Sequence, residues 1–458
     1  MKKLLVGAVT GLLVVSLAAC SGGGTTTTNE GASAPGPEDL ENAEGVTTIS
    51  FWHGLGGANG EALEKLISDF NAANSGKIQV QSSFQGSYAD LLAKYTAGLR
   101  DQSTPTVILA GDIASGYLKD VQRSIAPAAM AEANPDGLDL SEIRSAGTNY
   151  YSVDGDLFAV PLNMSTPTLW VNADMLKAAG VNPDTDLKTL DGVAAAASKV
   201  KSATGNAGLV QPFDGWWFEQ LTAASGNVYC TPGNGREGDG AESISLKEPG
   251  QVEAFETLAG IYTSGAGLDV GVDGNAALTA FTAGQVGMMF NSSGAAGGIA
   301  AGNVPFGYEA LPYPVSGDTA ESGPVIGGSA MWLSSTADDA QKVAGWKLIS
   351  YLASADAQEP FSEATGYVPV NSAVDTLPAR EEYISTHPNA AVFVDQVNNT
   401  PAVPATAGCL SGAMTAIRAA VVPQMQAAFS GSISIDQALS NAEADANKAI
   451  SQYRDQLG

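Results

Sequence analysis

Histidine and cysteine are almost missing from this chain. Among 458 residues the only histidines are His53 and His387, and the only cysteines are Cys20, Cys230 and Cys409. No two of these five stand at the spacing of a Cys/His zinc site, so that chemistry is excluded. A triad hydrolase would have to recruit one of the two histidines, and no Gly-x-Ser-x-Gly turn exists to present its nucleophile. Basic residues are scarce as well: 21 Lys and Arg face 48 Asp and Glu, a net charge of −27 with a pI near 4.2. Without a basic stripe to neutralise phosphates, nucleic acid is excluded as a partner. Charged residues make up only 15%, but hydrophobic residues make up 44%, which rules out a wholly disordered chain. The 53 glycines and 22 prolines imply many turns joining modest elements. The length suits two or three domains with real cores.

Long apolar runs are also absent, with one informative near-miss at the start. Met1-Lys2-Lys3 is followed by an apolar run over 4–18 that is too short to span a bilayer. It reads as the signal peptide of an exported protein. Leu17-Ala-Ala-Cys20, then Ser21-Gly22, resembles the lipobox of bacterial lipoproteins. That resemblance implies removal of residues 1–19 and acylation of Cys20, which tethers the chain to a membrane through about 0.8 kcal/mol per buried methylene. Residues 20–45 are rich in Gly, Thr, Ala, Pro and acids and are expected to form a flexible tether. Outside the cytoplasm disulfides persist, and the mature body holds two thiols, Cys230 and Cys409. A linked pair is the simpler reading; two separate buried thiols are the alternative.

From residue 46 strand and helix patterns alternate. The segment 46–52 has apolar residues at every second position, a strand pattern, and Gly54, Gly56, Gly57 and Gly60 follow as a loop. Leu63, Leu66, Ile67 and Phe70 then fall on one helical stripe. Further strands are expected over 77–84, 105–110, 169–171 and 286–290. Helices are expected over 88–100, 173–179, 187–202, 276–283, 340–353 and 437–456. Connections this short indicate βαβ units and a parallel sheet.

Ile49-Ser-Phe-Trp-His-Gly54, Gly86-Ser-Tyr88 and Pro161-Leu-Asn-Met-Ser-Thr-Pro167 resemble the solute-binding proteins of bacterial ABC importers, carbohydrate type. Phe281-Thr-Ala-Gly-Gln-Val-Gly-Met-Met289, Ile326-Gly-Gly-Ser-Ala-Met-Trp332, Thr365-Gly-Tyr-Val-Pro369 and Ala416-Ile-Arg418 point within that family to the branch that binds sn-glycerol 3-phosphate and glycerophosphodiesters. The resemblance runs from about residue 46 to the C-terminus. It implies an α/β fold of the type II periplasmic-binding-protein kind, two lobes joined by a hinge with the ligand in the cleft between them. The first lobe would hold 46–162 and about 291–327, and the second about 163–290 and 328–458. The chain would cross between lobes at Ser165, at Asn291-Ser292 and at Gly327-Gly328.

The resemblance also implies a site. Arg418 matches the family's phosphate-binding arginine, a fork that meets phosphate with two parallel hydrogen bonds. It stands alone in the otherwise uncharged stretch 396–435. Ser165 and Ser292 match positions that reach the ligand, and Gly328 one where bare backbone approaches closely. Asp112 matches an acceptor for ligand hydroxyls that is commonly Glu in the family. Tyr88 and Tyr367 match aromatic positions with a polar tip, suited to a polyol. Where some relatives carry two stacking tryptophans, this chain has Phe213 and then Trp216, with Trp217 as the competing register. The function implied is capture of glycerol 3-phosphate or a glycerophosphodiester, such as glycerophosphocholine, for an ABC permease. The protein would act as a lipid-anchored monomer on the outer face of the cell membrane, without cofactor, metal or covalent chemistry. A binder of neutral oligosaccharides is the alternative. A carbohydrate hydrolase is the rival enzyme, but no pair of carboxylates stands out for it.

Overall fold

A computed structural model describes residues 34–316 and 321–457. The signal peptide expected over 1–19 and the acylation expected at Cys20 lie outside the described residues. The tether expected over 20–45 does not extend that far. Pro37–Glu41 forms a short helix whose Leu40 is 2% exposed, and Asn134 Nδ2 donates to the Pro35 carbonyl at 3.0 Å. Leu40, placed in the core, fixes this segment to the body.

Two five-stranded sheets build two lobes. The first sheet runs in the order Ile78–Phe84, Thr47–His53, Val107–Gly111, Gly327–Leu333, Val160–Ser165. The second runs Gly267–Leu268, Ala207–Val210, Val286–Ser292, Pro167–Asn172, Tyr308–Pro312. Neither is purely parallel as expected. Gly327–Leu333 runs antiparallel to both its neighbours, and so does Pro167–Asn172. These are strands that enter from the hinge, whereas the βαβ units supply the parallel pairs.

The local reasons are those read from the pattern. Thr47–His53 buries alternate residues, Thr47, Ile49, Phe51 and His53. The Gly57–Ala73 helix buries Leu63, Leu66, Ile67 and Phe70, but it starts inside the expected glycine loop. Gly60 lies in the first turn, where the Leu55 carbonyl oxygen would stand 2.6 Å from a Cβ and so selects glycine. Tyr88–Asp101 opens on a Ser87/Asp90 capping box, and Leu190–Thr204 closes on left-handed Gly205.

The lobe boundaries differ from the expected ones. Strand Gly327–Leu333 belongs to the first sheet, whose core also takes Val343, Trp346 and Phe361 from the following helices. Segment 291–312 belongs to the second lobe, because Ser292 pairs with Pro167 and Tyr308–Pro312 pairs with Pro167–Asn172. The chain therefore crosses at Thr166, between two strands, but not at Asn291-Ser292. The C-terminal helices Met414–Phe429 and Ile435–Leu457 pack in the second lobe, as expected. Cys230 and Cys409 are joined there, with Sγ atoms 2.08 Å apart.

Candidate functional site

Strand ends and helix starts from both lobes converge on a cleft of about 580 Å³, within the usual range for small-molecule sites. From the first lobe come Asp112, in the turn after Val107–Gly111, Ser165 at the end of Val160–Ser165, and Tyr88 at the start of its helix. The second lobe adds Trp216, Ser292 and Arg418. Gly328 and Tyr367 complete the set, so eight of the ten expected cleft residues line one cavity.

Phe213 and Trp217 do not. Phe213 is 1% exposed, edge-on to Tyr262 and Phe429 at 4.7 and 5.1 Å. Trp217 is 2% exposed and packs near Phe290 and Tyr313. Both belong to the second lobe's core. The helix Gly215–Ala224 turns about 100° per residue, so Trp216 and Trp217 cannot share a face. Trp216 takes the cleft side, and its Nε1–H has no acceptor among the described residues.

The charges concentrate on Arg418. Its Nε and Nη2 donate to the two oxygens of Glu219 at 2.7 and 3.1 Å, and Nη2 also reaches Asp112 Oδ2 across the cleft at 3.3 Å. Asp214 lines the same cavity and caps the Gly215–Ala224 helix through Trp216 N at 2.9 Å. Burial alone would make Arg418 easier to deprotonate. The charges of Glu219 and Asp112 outweigh it and hold the guanidinium well above its ordinary value. Burial pushes Asp214 up, with Arg418 opposing. The bonds that hold Arg418 run through Nε and Nη2, with none from Nη1 among the described residues.

Glycines place the rings. A Cβ on Gly54 or Gly111 would come 2.7 or 2.6 Å from the Tyr88 ring, so that ring lies directly on two bare strand ends. Gly328 has φ of +126°, and a Cβ there would meet the Asn163 carbonyl oxygen at 2.1 Å. Its need for glycine comes from the neighbouring strand, at an irregularity in the pairing with Val160–Ser165. Ser292 Oγ accepts from Gly294 N at 3.1 Å, capping a turn. Tyr367 Oη accepts from Asn59 Nδ2 at 3.4 Å, and burial pushes its pKa up to about 12.

Sequence reading missed Asp214, Glu219 and the face of Met414–Phe429 formed by Thr415, Arg418, Ala419 and Val422. The last was legible, since these positions fall at helical spacing around Arg418. Pro423 lies in the same helix and lines the cleft, and it has no N–H to give the Ala419 carbonyl. Glu219 had no signal, being one acid in a strongly apolar helix.

The profile of bacterial extracellular solute-binding proteins matches residues 65–391. The sn-glycerol-3-phosphate-binding periplasmic protein of Escherichia coli strain K12 is 27% identical over 420 residues, 90% of this chain and 95% of that one. The crystal structure of UgpB from Mycobacterium tuberculosis in complex with glycerophosphocholine superposes with a TM-score of 0.75 at 19% identity, covering 89% of this chain and 99% of that one. The cyclic α-maltosyl-1,6-maltose binding protein of Arthrobacter globiformis gives a TM-score of 0.72 at 21% identity, covering 89% and 100%. No helix among the described residues is long and apolar enough to cross a membrane. With two α/β lobes, a cleft between them and a family profile over most of its length, the chain belongs to the bacterial extracellular solute-binding proteins, the non-enzymatic capture subunits of ABC importers.

Proposed function

We propose that the protein captures a glycerophosphodiester with a cationic head group, such as glycerophosphocholine, and hands it to the importer's permease while held to the outer membrane face through Cys20. The make-up of the cleft supports this reading: one guanidinium, Arg418, is surrounded by Asp112, Asp214 and Glu219 and flanked by the rings of Tyr88, Trp216 and Tyr367. A phosphodiester carries one negative charge, which Arg418 Nη1 can meet. A phosphomonoester carries nearly two at neutral pH and must come up against the same three carboxylates. A quaternary ammonium is attracted by those carboxylates and by aromatic faces. Glycerol hydroxyls have an acceptor in Asp112.

A thermal-shift screen of glycerophosphocholine, glycerol 3-phosphate, maltose and trehalose tests it. A ligand at a hundred times its Kd adds about 2.7 kcal/mol of stability, so glycerophosphocholine should raise Tm most. One observation favours a second reading: Glu219 already engages Arg418 with both oxygens, as in a site built for an uncharged ligand. A shift with maltose or trehalose alone would select a neutral-oligosaccharide binder instead.

A further inference from the structure

Beside the cleft the two lobes touch along a narrow seam, and part of it is bare backbone. On the first lobe it runs through Asp112–Ala114 and the short helix Ser115–Asp120. On the second it runs through Ser411, Gly412, the start of Met414–Phe429 and Tyr453 of Ile435–Leu457. Three contacts join the two sides. Arg418 meets Asp112 at 3.3 Å, Gly116 lies against the Ser411–Gly412 peptide, and Tyr453 Oη donates to Asp120 at 2.9 Å. The Asp112 end of the seam lines the cleft, and the end with Gly116 and Asp120 lines a groove of about 310 Å³.

The middle contact leaves the least room. A Cβ on Gly116 would stand 2.2 Å from the Ser411 carbonyl carbon and 2.6 Å from the Gly412 nitrogen, where ordinary contact begins at 3.4 Å. Both are main-chain atoms, which no rotamer change can move aside. The backbone at Gly116 does not itself ask for glycine, because it is helical and lies outside the left-handed region. Alanine is the better helix former, so what selects glycine here is the apposition of the other lobe. The consequence reaches the site. A side chain at this point holds the two backbones more than an ångström further apart, about one turn from Asp112, and draws Asp112 away from Arg418. We propose that Gly116 is a positioning residue for ligand capture. It does not line the cleft, but its missing side chain sets how closely the first lobe's Asp112 approaches Arg418, and so it governs affinity for whichever ligand fills the cleft.

Calorimetry and small-angle scattering of the whole protein and its Gly116→Ala variant test this, with glycerophosphocholine as the probe, or maltose if the parent binds only that. The variant should bind about tenfold more weakly or worse, the loss expected when one charge-assisted contact is withdrawn. At saturation it should keep a larger radius of gyration than the parent. Its ligand-free unfolding midpoint should stay near the parent's, since the helix gains a better residue. A double-mutant cycle adds a readout that damage to the fold would not give. Once the seam is parted, Tyr453→Phe should cost nothing further in the Gly116→Ala background. Equal affinities, additive losses, or a midpoint that collapses together with affinity would overturn the proposal. If the parent binds neither probe, the ligand-free radii decide: a larger one in the variant supports the proposal, and equal ones overturn it.

Discussion

Arg418 carries the only formal positive charge on the cleft wall among the described residues, and three carboxylates compete for it. Glu219 holds two of its donors and so sets how much of the guanidinium a ligand can use. Glu219→Gln keeps the shape and removes one negative charge. Glycerol 3-phosphate should then gain affinity relative to glycerophosphocholine on the order of tenfold, the worth of about 1.4 kcal/mol. Competition binding with the two ligands checks it, and an unchanged ratio counts against a phosphate at Arg418. His53 gives a pH signature away from the site. It is 1% exposed, its Nε2 lies 2.9 Å from Glu64 Oε1, and burial lowers its pKa below the ordinary 6.5 despite that partner. Because the unfolded chain takes up this proton more readily than the folded one, stability from His53 is full above pH 6.5 and lost as pH falls through the folded value. Denaturant titrations of the parent and His53→Gln should therefore converge on acidification through this window. A constant difference would contradict the burial argument. At this scale the sequence showed residue identities but not faces: Arg418 was legible from its motif, whereas the choice between Trp216 and Trp217 rested on helical phase that no single residue reveals.

Elements were more legible where their pattern was local. The stripes of Gly57–Ala73 and Asp339–Leu352 and the alternation of Thr47–His53 appear in the residues themselves. Strand direction did not, because a strand's partner is a long-range fact: Gly327–Leu333 reads identically in either lobe until its pairing with Val107–Gly111 is seen. The Cys230–Cys409 link joins segments 179 residues apart within the second lobe. Closing so long a loop restricts the unfolded chain, and removing the link through Cys230→Ala with Cys409→Ala should lower unfolding free energy by about 2–5 kcal/mol. Urea denaturation measures it, and a loss well under 1 kcal/mol would mean the unfolded chain gains little freedom.

Outside the crossings, buried side chains and polar contacts tie the two lobes together. Arg418 meets Asp112 across the cleft, Tyr453 Oη donates to Asp120 Oδ2 at 2.9 Å, and Arg236 Nη2 donates to the Tyr150 carbonyl at 2.6 Å. A hinge of this kind opens by breaking such bonds, and a ligand that touches both lobes favours the closed arrangement. Tyr453→Phe removes one of them far from the ligand. Its cost of about 1.5 kcal/mol, typical of a bond to a charged group, should weaken ligand binding roughly tenfold. Small-angle scattering of the ligand-free variant should show a larger radius of gyration than the parent. Equal radii and equal affinities would show that this contact does not hold the lobes.

Titration calorimetry of glycerophosphocholine into the parent and Arg418→Ala tests the phosphodiester contact proposed for Arg418. Truncating one side of a buried, charge-assisted pair costs about 2–5 kcal/mol, so affinity should fall by about thirtyfold to several thousandfold. Arg418→Lys should recover only part of it, because a point charge cannot reproduce the fork. An Arg418→Ala protein that still folds and binds glycerophosphocholine as the parent does, or a parent that binds maltose and ignores glycerophosphocholine, would contradict the account.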